Sequence, residues 1–137
     1  MRGTRRQAAQ SVPEGNWIAA VRSIIGGTLR WCEENPELSH ACFVEMLLVS
    51  PKSIDQRERA YRSFEPLSVQ LAAMARKENP SLPALRERMP YFLTTALTEI
   101  IAAEIRAGRG STLSRLSDDL VFLTISMLTD EASARVV

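Results

Sequence analysis

Apolar residues recur three and four positions apart along most of this chain, and nothing in it alternates with a period of two. That pattern constrains the fold more than any other feature: it makes amphipathic helices and leaves no segment suited to a half-buried strand. Trp17, Ile18, Val21, Ile24, Ile25, Thr28, Leu29 and Cys32 form the first such stripe. Asn16 stands ahead of it as an N-cap. Gly26 and Gly27 interrupt the stripe; they either admit a close neighbouring helix or are tolerated at about 1 kcal/mol each relative to alanine.

Prolines and glycines punctuate the rest. Asn35-Pro36-Glu37 reads as cap, first-turn proline and first-turn acid. The helix it opens, through Val49, carries Leu38, Ala41, Cys42, Phe43, Val44, Met46, Leu47 and Leu48, apolar almost all round, so it is expected to be central and buried. After Ser50-Pro51, a long third helix shows Ile54, Tyr61, Phe64, Leu67, Leu71, Met74 and Ala75 on one side, with a kink expected at Pro66. Asn79-Pro80-Ser81 breaks the chain again. A fourth helix is expected from Pro83 to Ala107, and a fifth from Leu113 to Leu128, where Leu113, Leu116, Leu120, Leu123 and Met127 make a bundle-type seam. The short link from Gly108 to Thr112 implies an antiparallel hairpin between the last two. Helices are thus predicted near 17–34, 37–49, 52–78, 83–107 and 113–128: an all-α bundle of about five helices.

Length and composition bound the class. A chain of 137 residues suits one domain, and a net charge of +1 gives no overall field for nucleic acid or lipid. Residues 1–15, with Arg2, Arg5 and Arg6, read as a flexible basic tail, residues 16–130 as the domain and 131–137 as a frayed end. No apolar run approaches the roughly 18 residues of a membrane span, and no secretory signal is evident. Two cysteines do not make a disulfide framework, so a reducing cytoplasm is the default.

Catalytic chemistry finds little footing. Any Ser-His-Asp arrangement would need the single histidine, His40, and there is no nucleophile elbow. Gly108-Arg109-Gly110-Ser111-Thr112 lacks the spacing and lysine of a phosphate loop. Cys32, His40 and Cys42 match no zinc pattern, so neither metal nor cofactor is expected. Trp31, Phe43, Met46, Tyr61, Phe64, Met74, Met89, Tyr91 and Phe92, spread over four helices, are either plain core or the wall of a cavity.

The order of these elements resembles a known family. The residues that carry the resemblance are Asn16-Trp17, Trp31-Cys32-Glu33-Glu34-Asn35-Pro36-Glu37-Leu38, Phe43-Val44-Glu45-Met46-Leu47, Ser50-Pro51 and the hairpin Ala96–Ile101 to Leu113–Val121. The pattern is similar to the C-terminal ligand-binding and dimerisation domain of TetR-family transcriptional regulators, over about residues 16–130. It rests on order and spacing, not on any single residue. The resemblance implies an effector-sensing domain that is not an enzyme, with the Pro36–Val49 helix beneath the pocket and the last two helices pairing with their copies in a homodimer. DNA would be contacted only through a helix-turn-helix head, for which the residues ahead of Trp17 are too few. The expected ligand pocket is Phe43, Leu47, Tyr61, Phe64, Ser68, Leu71, Phe92 and Ala96. The expected dimer rows are Leu97, Ile101 and Ile105 on the fourth helix and Val121, Ile125 and Leu128 on the fifth. The other reading of the same residues is a headless helical dimerisation or adaptor module that holds no ligand.

Overall fold

The computed structural model describes residues 16–45 and 51–129, with side chains undescribed at 51–54 and 57. Its elements are α1 (Trp17–Glu34), α2 (Pro36–Phe43), α3 (Pro51–Glu78), α4 (Met89–Arg106), a 3-10 helix (Gly110–Leu116) and α5 (Ser117–Thr129). Among the described residues there is no strand, and the fold is all-α. The expected tail 1–15, the end 131–137, and Met46, Leu47 and Val49 lie outside the described residues.

The centre of the bundle is α1. Val21, Leu29 and Cys32 are fully enclosed along it, and it packs against α2, α3, α5 and the 3-10 helix. Burying Val21 or Leu29 contributes about 1.5–3 kcal/mol each. Its ends are secured. The Asn16 side chain accepts from the Ala19 N–H at 3.1 Å, and the Trp17 N–H donates to Glu78 Oε2 at 3.0 Å, tying the start of α1 to the end of α3. At the other end, the Asn35 side-chain and backbone N–H groups both donate to the Trp31 carbonyl, at 2.9 and 3.0 Å. Asn35 therefore closes α1; its side chain does not cap α2. At Gly26, an added Cβ would meet only ordinary contacts with Arg30 and Ser117 at 3.9 and 4.0 Å, so no close helix approach requires that glycine.

Three sequence expectations are corrected. First, α2 is peripheral, not central: Leu38 is 57% exposed and His40 and Cys42 also face solvent, while Ser39, Phe43 and Val44 are buried. Its single inward strip is fastened by Ser39, whose hydroxyl lies within bonding reach of the Cys32 carbonyl at 3.3 Å and the Pro36 carbonyl at 3.1 Å. Second, α4 begins at Met89, because Pro90 and not Pro83 occupies its first turn; residues 83–86 are irregular and 87–88 form a turn. Third, residues 110–116 are a 3-10 helix before α5 starts at Ser117. The long α3 continues through Pro66, which lies exposed.

Candidate functional site, an apolar cavity among five helices

All five α-helices contribute one face to a half-enclosed cavity of about 310 Å³. From α1 come Val21, Ile24, Ile25, Thr28 and Leu29, at the i, i+3, i+4, i+7, i+8 spacing of one helical stripe. From α2 come Cys42 and Phe43. The α3 wall is Ala60, Tyr61, Phe64, Leu67, Ser68 and Leu71, and the α4 wall is Leu93, Thr94, Leu97, Thr98 and Ile101. Leu120 and Thr124 of α5 complete it. Cys42 is the exposed member of the set and marks the rim.

The expected pocket residues Phe43, Tyr61, Phe64, Ser68 and Leu71 stand together around this space. Leu47 lies outside the described residues. Phe92 and Ala96 do not line it, and Phe92 is 50% exposed. In their place stand Leu97 and Ile101, which were assigned to an outward row, together with Leu93. The two misplacements are one rotation. Neighbouring residues are about 100° apart on a helix, so moving from the row 92, 96, 100 to the row 93, 97, 101 brings the supposed outer face inward. On α5, Val121 and Leu128 are likewise buried within the chain, while Ile105 and Ile125 pack half-buried against the core. None of the six forms a solvent-facing row. The outer residues of these helices are instead Phe92 and Phe122, the latter 73% exposed.

The expected pocket residues include none from the α1 and α5 walls and none of the threonines. The available signal was the placement of Thr28, Thr94, Thr98 and Thr124 on otherwise apolar faces. Three of these hydroxyls are committed to their own helix: Thr28 donates to the Ile24 carbonyl at 2.8 Å, Thr94 to Pro90 at 3.0 Å and Thr124 to Leu120 at 2.8 Å. Such back-bonded threonines leave their methyls and spare lone pairs to whatever faces them.

Polar contacts frame the cavity from outside. The Tyr91 hydroxyl donates to Glu58 Oε1 at 2.8 Å, which pushes its own ionisation up, and the Arg62 guanidinium lies 5.9 Å from the Tyr91 ring centre. These join α3 to the start of α4. Burial pushes the Cys32 thiol up to about 11, with Cys42 and Glu33 adding to the effect, so Cys32 is inert at neutral pH. His40 pairs with Glu45 at 3.1 Å on the surface and is not part of the lining. Among the described residues no cluster of three or more potential metal ligands occurs, and no helix is long and apolar enough to cross a membrane.

Among the described residues, the fold is an all-α bundle that holds an apolar cavity. Compared with protein-family models, with curated proteins and with solved structures, the chain matches none.

Proposed function

We propose that this chain is the effector-sensing and dimerisation domain of a TetR-type bacterial transcriptional repressor, working in the cytoplasm on a small apolar or amphipathic molecule. The observation that carries the proposal is the cavity itself: about 310 Å³, walled by every α-helix of the bundle. That volume sits at the small end of ligand pockets, which run from about 300 to 1,000 Å³. A molecule that touches five helices at once favours one arrangement of them over others, and that difference in affinity is what a sensor needs. In this reading two copies pair through the α4–α5 side, DNA is contacted by a helix-turn-helix domain outside these residues, and the chain catalyses nothing.

A second reading is supported by the exposure of Phe122 and Phe92: a helical dimerisation module whose cavity is never occupied. Ligand screening separates the two. Under the sensor reading, one or more small apolar molecules raise the melting temperature, since a ligand that binds only the folded state stabilises it. The same molecules slow alkylation of Cys42 at the rim and leave the buried Cys32 unlabelled throughout. A broad apolar panel that shifts neither readout favours the module.

A further inference from the structure

We infer that the cavity selects an electrically neutral ligand and reads a single hydrogen-bonding group on it through Ser68. The inference rests on the cavity being a binding site, as proposed above, and goes on to name the chemistry of its occupant.

Among the described residues the lining contains no Asp, Glu, Lys, Arg or His. An ionised carboxylate or ammonium entering it would shed its hydration and meet no opposite charge. The hydroxyls of Thr28, Thr94 and Thr124 are spent on their own backbone and cannot donate to a guest. Ser68 differs. It lies on α3 between Phe64 and Leu71, is only 7% exposed, lines the cavity and makes no hydrogen bond to any described residue. A serine inside a helix ordinarily bonds back to the carbonyl four residues earlier, as the threonines here do. The Ser68 hydroxyl is open to the cavity, so a hydroxyl, carbonyl or ether oxygen on a guest bonds to it in place of water. The ligand this describes has an apolar body and one neutral polar atom placed against α3.

Titration calorimetry of the full chain with octan-1-ol, octanoate, octylammonium and toluene tests it. At about pH 7, octan-1-ol is expected to bind at least about a hundredfold tighter than either ion. The apparent affinity for octanoate is expected to rise about tenfold per pH unit as the pH falls toward roughly 5, because only the protonated acid enters. Ser68→Ala is expected to keep the fold, to weaken octan-1-ol by about three- to tenfold and to leave toluene, which has no hydrogen-bonding group, unchanged. Octanoate binding at neutral pH as tightly as octan-1-ol overturns the selection for neutrality while the cavity reading stands. A Ser68→Ala variant with an unaltered octan-1-ol to toluene ratio overturns the role of Ser68. Binding of none of the four overturns the cavity reading, and this inference with it.

Discussion

Gly108 adopts a φ of +81°, the only left-handed glycine among the described residues, and it is where α4 stops. Around it the Gly108 N–H donates to the Ile105 carbonyl at 3.0 Å and the Arg109 N–H to the Glu104 carbonyl at 2.9 Å, so the last carbonyls of the helix are satisfied by a backward loop. A Cβ at this position would meet nothing within 4 Å. The whole cost of Gly108→Ala is therefore backbone strain, and a loss of about 1–2 kcal/mol is expected by chemical denaturation. A variant as stable as the parent would mean that the chain leaves α4 by another route. The sequence placed this stop correctly from glycine alone, because a left-handed cap is a property of a few adjacent residues.

The 3-10 helix between α4 and α5 turns the inward face of α5 away from part of the expected seam. Three residues per turn in place of 3.6 advances the phase by about 20° per residue, or roughly 60° from Leu113 to Leu116. Leu113 remains fully buried, but the inward face of α5 becomes Leu120, Val121, Thr124 and Leu128, while Leu123 and Met127 move toward the edge. Thr112, with non-helical backbone angles, adds to the offset. The 3-10 helix is held at both sides. Glu33 of α1 accepts from the Ser114 N–H at 3.0 Å and from its hydroxyl. Glu104 of α4 accepts from Arg109 Nε at 2.7 Å and from Arg115. The Arg109 hydrogen bond, followed by that of Arg115, holds the Glu104 carboxyl below the usual carboxylate range. A depressed carboxylate stabilises the fold above its unfolded pKa, and that stabilisation is lost as the pH falls through the folded value. The melting temperature of the parent should thus exceed that of Glu104→Gln near neutral pH, and the gap should close below about pH 4. A gap that persists unchanged in acid would show that the carboxylate charge contributes nothing there.

At the scale of the whole molecule, the remaining question is what covers the outer side of α4 and α5. Phe122 is 73% exposed and Phe92 50% exposed, whereas Leu97, Ile101, Val121 and Leu128 are already used inside the chain. Pairing of two copies about a two-fold axis would bury the phenylalanines. Because Phe122 is exposed, Phe122→Glu should leave the fold intact and yield a monomer, while Ile101→Glu should damage the core and the cavity whatever the oligomeric state. Sedimentation at roughly micromolar concentration reads the outcome, since an interface of ordinary size holds in that range. A parent chain that sediments as a monomer removes the pairing, and with it the dimeric form of the proposal.

Periodicity, N-cap and proline signals determined the helices, because their causes are local: Asn16 caps α1, Pro51 opens α3 and Gly108 ends α4 within one turn of where they stand. Five of the eight expected cavity residues, Phe43, Tyr61, Phe64, Ser68 and Leu71, also meet around the cavity, because α3 has one clear apolar face and Phe43 lies on the only inward strip of α2. The sides of α4 and α5 were decided by tertiary structure. Phe92, Leu93, Ala96, Leu97, Ile100, Ile101 and Ile105 spread around more than half of α4, so its own sequence contains no preferred inward direction; the positions of α1 and α3 select the face bearing Leu93, Leu97 and Ile101. The phase of α5 likewise depends on the seven-residue 3-10 turn before it. A local pattern determines which residues are helical. Which of two apolar faces turns inward depends on neighbours far away in the chain, whose packing no short window of sequence contains.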